Sequence, residues 1–207
     1  MGISGRFLRF AAIPLLTVSF ALPAAAERKS TTPTPATAAT ASSIRIDNFG
    51  RVSSAYYRGA QPMGRDYDDL AALGIKTVIN LTSDDAQADE RELVERAGMT
   101  YLQIPMTTNK APTDKELAQF LAVVNESASQ PVYVHCVGGK HRTGVMTAVY
   151  RMTSEGWTAD RAFQEMKRYK FGADFLHPEF KKFVYAFHSE PRPATPTNTV
   201  LATTVVN

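Results

Sequence analysis

The stretch Pro131-Val132-Tyr133-Val134-His135-Cys136-Val137-Gly138-Gly139-Lys140-His141-Arg142-Thr143-Gly144 sets the only cysteine of a 207-residue chain at the end of an apolar run. A glycine-rich, basic loop follows it. Val132 to Val134, β-branched and aromatic between Pro131 and the glycines, predict a buried strand. Beyond the loop, Val145, Ala148, Val149 and Met152 recur at i, i+3, i+4 and i+7, which predicts a helix. The loop therefore joins a strand end to a helix N-terminus, where free N–H groups and the positive end of the helix dipole favour an anion. Gly138 and Gly139 let the backbone curl into a nest of N–H groups that suits a phosphate. Arg142, six positions beyond Cys136 with five residues between, carries the planar fork that grips two phosphate oxygens. Lys140, Arg142 and the helix end are expected to favour a nucleophilic thiolate at Cys136, with the Thr143 hydroxyl placed to hydrogen-bond its sulfur.

His135-Cys136, five residues, then Arg142-Thr143 resembles the phosphate-binding loop of the cysteine-dependent protein tyrosine phosphatase superfamily. With Tyr57-Arg58-Gly59-Ala60-Gln61-Pro62 near the start of the domain, the sequence is similar to the atypical dual-specificity phosphatases of bacteria, plants and fungi. The resemblance runs over roughly residues 44 to 190. It implies Cys136 as the nucleophile that becomes phosphocysteine and Arg142 as the clamp on phosphate and transition state. It implies the backbone N–H groups of Val137, Gly138, Gly139, Lys140, His141 and Arg142 as the cradle, with Thr143 beside it, and no cofactor. A metal site at His135, Cys136 and His141 is not expected, because no second Cys or paired His cluster completes it.

At the other end of the chain, Arg6 and Arg9 precede an apolar segment, Phe10 to Leu22, that ends in Pro23-Ala24-Ala25-Ala26. Residues 1–26 read as a secretory signal peptide cleaved after Ala26, and the apolar segment is too short to favour a membrane span. The expectation is a periplasmic or secreted protein with no stable membrane insertion after cleavage. The formal net charge of +3 loses Arg6 and Arg9 with the signal, leaving a near-neutral protein with no feature that suggests a nucleic-acid partner. A lone Cys forms no internal disulfide and stays free, and if ionised it is open to oxidation. Residues 27–43, rich in Ser, Thr, Ala and Pro, read as a flexible linker, and 191–207 as a disordered tail.

Between them, 44–190 reads as one α/β domain with a mostly parallel central sheet flanked by helices. Ile44, Ile46, Phe49, Val52 and Tyr56-Tyr57 suggest short strands around an Asn48–Gly50 turn. Thr77 to Leu81 and Thr100 to Ile104 read as strands, the former covered on both faces. Helices are predicted over Asp66 to Leu73, stopped by Gly74, and over Asp89 to Ala97, ended by Gly98. Thr113 to Glu116 form a capping box before the stripe Leu117, Phe120, Leu121 and Val124. Gly156 stops the helix after the loop, Thr158 caps one carrying Ala162, Phe163, Met166 and Tyr169, and Pro178 starts a last one carrying Phe180, Phe183, Val184 and Phe187.

The general acid departs from the family pattern. Relatives usually carry an Asp on the loop after the strand equivalent to Thr100–Ile104, where this chain reads Pro105-Met106-Thr107-Thr108-Asn109-Lys110-Ala111-Pro112-Thr113-Asp114. Asp114 is the first acidic residue and the catalytic candidate, although a carboxylate in the first turn of a helix also serves the helix dipole. Asp84, Asp85 and Asp174 are further candidates. A general acid contributes about 10²–10⁴-fold, so its loss favours leaving groups of low basicity. The expected substrates are therefore phosphotyrosine-like monoesters on a phosphorylated protein, or a small-molecule polyphosphate such as an inositol pyrophosphate, whose relatives carry a similar Gly-Lys-His-Arg-Thr-Gly loop. Lys140 and His141 would add positive charge for a polyanion. Two other readings are a phosphate-binding pseudophosphatase without turnover and a rhodanese-type sulfurtransferase. Arsenate reduction is disfavoured by the lack of a resolving cysteine.

Overall fold

The structure, a computed structural model, describes Gly2, residues 44–83 and residues 86–187. Apart from Gly2, the signal, linker and tail segments, and Asp84 and Asp85, lie outside the described residues.

The sheet has five strands in the order β1-β2-β5-β3-β4. They are β1 (Gly50–Arg51), β2 (Tyr56–Gly59), β3 (Thr77–Thr82), β4 (Thr100–Met106) and β5 (Val132–His135). Only the β1–β2 pair is antiparallel. β5 lies at the centre, in register with Tyr56–Gly59 on one side and with Thr77–Asn80 on the other. Every residue of β2, β3 and β5 is buried, as expected of parallel strands covered on both faces.

Alternation along the strands divides the core. Tyr56, Ile79, Val132 and Val134 face α3 (Asp114–Asn125) and α4 (Arg142–Ser154), meeting Phe120, Val124 and Met146. Tyr57, Val78 and Tyr133 face the opposite way, toward α1 (Asp66–Ala72) and α2 (Glu90–Arg96), meeting Tyr67, Leu70 and Val94. A third cluster joins Val145, Ala148 and Met152 of α4 to Phe163 and Met166 of α5 (Ala159–Arg168) and Phe180 and Val184 of α6 (Pro178–Ala186).

The predicted stops and caps hold. Gly74, Gly98 and Gly156 have φ of +92°, +82° and +66° just past their helices. Thr113 and Glu116 form the complete capping box of α3, and Thr158 accepts from Arg161 N at the start of α5. Two local expectations need correction. Residues 44–46 lie in no strand, because the turn at Asn48 sends the chain against the loop of the site instead of into the sheet. Tyr169 lies just beyond α5, as its C-cap. The predicted helix α4 is present, and all its residues from Arg142 to Met152 are buried, because α5 and α6 cover the side that the sheet leaves open. Among the described residues no helix is long and apolar enough to cross a membrane.

Candidate active site

The loop from Cys136 to His141 leaves the carboxyl end of central strand β5 and enters α4 at Arg142, the place where parallel α/β sheets bind ligands. Gly144 N and Val145 N bond to the carbonyls of Lys140 and His141, so the helical ladder begins inside the loop. A helix start of this kind is where N–H groups can meet an anion. Cys136 is only 3% exposed and rests on the apolar floor made by Leu81, Ile104, Met106 and Met146. Arg142, also 3% exposed, donates from Nη1 to Met106 O at 3.2 Å, which ties the first turn of α4 to the end of β4. The Thr143 hydroxyl is buried and makes no hydrogen bond among the described residues, so the bond expected from it to the Cys136 sulfur is not formed here.

The outer wall of the loop is the end of β2. Gln61 N donates to Val137 O at 3.1 Å, while Arg58 Nη2 and Asn48 Nδ2 both donate to Gly139 O, at 2.6 and 2.8 Å. In a trans peptide the C=O and N–H point in opposite directions. Pinning the carbonyls of Val137 and Gly139 outward therefore turns the N–H groups of Gly138 and Lys140 inward. Gly139 takes φ +61° and lies so close to Gly59 and Ala60 that a Cβ there would meet their backbone. The Arg-Gly-Ala-Gln-Pro element is thus the template against which the phosphate loop is cast. Tyr133 holds the template from below by donating to Ala60 O at 2.6 Å.

Beneath the loop lies a buried polar cluster that the sequence reading missed. Glu90, at the start of α2, is fully buried and sits 2.9 Å from His135 Nε2, also fully buried. Its carboxylate accepts from Gln61 Nε2 at 2.6 Å and from Tyr67 Oη at 3.3 Å, and Asn80 donates to its other oxygen. Burial alone would raise the Glu90 carboxyl, but His135, Gln61 and Asn80 together hold it below the ordinary range. His135 before the cysteine, Gln61 after β2 and Asn80 of β3 are thereby joined through one carboxylate. Two signals point to it: a Glu on the same helix face as buried Val94, and an Asn inside the apolar run of β3.

The loop's other flank is aromatic. The His141 ring bonds through Nε2 to Phe171 O at 3.0 Å and packs against His177 with ring centroids 3.7 Å apart. His177 Nδ1 reaches Thr108 O at 3.0 Å, so the pair bridges the phosphate loop to the β4–α3 loop. Burial, and then the adjacent His177, pull the His141 proton affinity below the usual imidazole range. The ring is neutral near pH 7, which revises the expectation that His141 adds charge for a polyanion. Lys140 is exposed.

The acid candidates are now located. Asp114 is exposed in the first turn of α3, immediately after the Thr113 cap. Asp174 bonds to Lys167 and Lys181 at 2.7 and 2.8 Å, and those two ammonium groups hold its carboxyl below the usual range. A carboxylate kept ionised in this way is a poor proton donor. Among the described residues no group of three or more His, Cys, Asp and Glu side chains could hold a metal ion.

A model of the tyrosine phosphatase family matches residues 43–203. The dual specificity protein phosphatase TpbA of Pseudomonas aeruginosa is 30% identical over 125 residues, 60% of this chain and 56% of that protein. The inositol diphosphatase SIW14 of Saccharomyces cerevisiae is 28% identical over 133 residues, 62% of this chain and 47% of that protein. The chain thus spans about half the length of these curated relatives. Crystal structures agree on the fold. The SIW14 core catalytic domain superposes with a TM-score of 0.61 at 25% identity, covering 69% of this chain and 87% of that one. TpbA superposes with a TM-score of 0.58 at 29% identity, covering 72% and 89%. With a family match over most of its length and a cysteine loop at the carboxyl end of the central strand, the chain belongs to the tyrosine phosphatase family.

Proposed function

We propose that the chain is a Cys136-dependent phosphatase that hydrolyses phosphate monoesters of the phosphotyrosine type. The observation that carries this reading is the loop itself, with the thiol at its base, buried Arg142 where it enters α4 and carbonyls pinned outward. In the first step the Cys136 sulfur bonds to phosphorus as the bond to the leaving oxygen breaks. Arg142 and the inward N–H groups take up charge on the equatorial oxygens. In the second, water bonds to phosphorus, the sulfur–phosphorus bond breaks, and phosphate and the thiolate are released.

The rim supports an aryl ester. Val137 of the loop is 48% exposed and shares a cleft with Met63, 65% exposed, so an apolar leaving group finds apolar surface beside the cradle. An aryl oxide also departs with little help from an acid, which suits a site whose nearest sequence candidate, Asp114, is an exposed first-turn residue. A phosphoanhydride such as an inositol pyrophosphate is the second reading, supported by exposed Lys140 and by the similarity to an inositol diphosphatase. The relatives named above are phosphatases, which gives no support to the sulfurtransferase reading. The segment 1–26 places the enzyme, in this proposal, in the periplasm or outside the cell.

The test is hydrolysis of p-nitrophenyl phosphate from pH 5 to 8, metal-free and with reductant. Cys136→Ser should abolish it. Asp114→Asn should remove the basic limb of kcat/KM and slow alkyl phosphates by about 10²-fold or more if Asp114 is the acid. Tight phosphate binding by wild type without turnover would leave the pseudophosphatase reading instead.

A further inference from the structure

Arg58 is the largest fully buried side chain of the domain, with 0% exposure, and it lies against the phosphate loop. Its guanidinium stacks 3.9 Å from the centroid of the Tyr169 ring and donates one bond, from Nη2 to Gly139 O. Nε and Nη1 are buried and make no hydrogen bond. Among the described residues no carboxylate is paired with it, and Glu165, the carboxylate that acts on it through space, is held by Arg151 at 2.6 Å. A buried, unpaired cation is costly. Burial works against its charged form, while Tyr56, Tyr169, Glu165 and Cys136 act in its favour. The fold keeps this cation beside a loop built to receive an anion.

We propose that Arg58 is a positioning residue of the anion site, fixing the Gly139–Lys140 peptide with its N–H turned into the cradle and holding a positive charge that a bound phosphate dianion balances. The proposal deepens the phosphatase reading and rests on it. It separates two components that Asn48 and Arg58 share at one carbonyl. Asn48, also bonded to Tyr169 O at 2.9 Å, supplies a neutral donor to Gly139 O, whereas Arg58 supplies a donor and a charge.

Tungstate, a tetrahedral dianion, is the probe, and its affinity for the full chain is measured by calorimetry on wild type, Arg58→Met, Arg58→Lys and Asn48→Ala, with melting curves recorded for each. Arg58→Met should weaken tungstate about 10- to 100-fold, the scale of a charge-assisted hydrogen bond. Arg58→Lys, which keeps the charge and can keep one donor, should recover most of that loss, and Asn48→Ala should weaken binding less than Arg58→Met does. In aryl phosphate hydrolysis the Arg58→Met change should fall mainly on KM. Wild-type tungstate affinity in a folded Arg58→Met variant would overturn the proposal. If Arg58→Met does not fold, a folded Arg58→Lys variant that binds no better than Asn48→Ala would overturn it. Wild type that binds tungstate without hydrolysing aryl phosphates would count against turnover only, and wild type that binds no tungstate would overturn the anion site and this proposal with it.

Discussion

Replacing Gly139 by alanine tests the claim that the phosphate loop is cast against β2. An alanine Cβ would sit 2.6 Å from Ala60 N, with the Gly59 carbonyl carbon and oxygen closer still. All three atoms are backbone, so no rotamer change relieves them, and the two segments must part by about 1 Å to reach ordinary contact. The left-handed φ of +61° adds its own cost for a residue with a side chain. Strain of this kind and overpacking each cost about 1–3 kcal/mol, so the variant should lose about 2–6 kcal/mol of stability. A displacement of 1 Å at a site that works by positioning costs about 10²-fold in rate. The assay is urea denaturation alongside kcat/KM on p-nitrophenyl phosphate, with Gly138→Ala as the control. A Cβ at Gly138 meets only the flexible Lys140 side chain, at 3.5 Å, so that variant should stay near wild type in stability. Gly139→Ala with wild-type stability and turnover would refute the template.

Three further outcomes follow from the buried groups. Glu90→Gln replaces the carboxylate that accepts from Gln61, Tyr67 and Asn80 and should cost about 1–3 kcal/mol. Because the folded Glu90 carboxyl lies below the ordinary range, its contribution is present above the unfolded value and fades as pH falls through the folded one. Glu90→Gln should therefore flatten the acid limb of stability against pH in urea melts. His141 is held neutral, so the unfolded chain takes up its proton first, and stability should decline as pH falls below about 6.5. His141→Gln should remove that decline, and an unchanged slope would count against the neutral ring. Arg151→Met strands Glu165, which is 5% exposed, and should cost about 3–5 kcal/mol, whereas adding Glu165→Leu should recover most of it; a single-variant cost below about 1 kcal/mol would show the pair to be marginal.

How much of this was legible in the sequence depends on the range of the interaction. The strand over Val132–Val134, the capping box at Thr113 and Glu116, and the glycine stops at 74, 98 and 156 are local matters of period, cap and φ, and they read directly. The anion loop between strand and helix read for the same reason, since its glycines and Arg142 lie within a few residues of Cys136. The burial of α4 did not, because its second covering comes from α5 and α6, and a stripe of four apolar residues does not tell what covers the rest of a helix. Glu90, Asn48, Tyr169 and His177 are separated from the loop by tens of residues, so only tertiary contact gives them meaning. His141 is the instructive case: read as a cation beside a phosphate, it is turned neutral by its burial and by His177, whose proximity no spacing encodes.

The contacts around the loop share one consequence. Val137 and Gly139 are pinned by β2, His135 by Glu90, His141 by Phe171 and His177, and Arg142 by the end of β4. These anchors come from four directions and are formed by the protein alone, so the cradle holds its shape before any anion arrives. Binding then does not have to order the loop, and the attraction between phosphate and N–H groups is not spent on conformational entropy. The same rigidity favours electrostatic stabilisation of a transition state, because donors fixed in advance need no reorganisation as charge develops. What remains free to vary is the rim, where the side chains of Val137, Lys140 and Met63 are exposed. Substrate preference should therefore respond to rim substitutions through KM, while changes to the buried anchors should depress activity toward all phosphate esters alike.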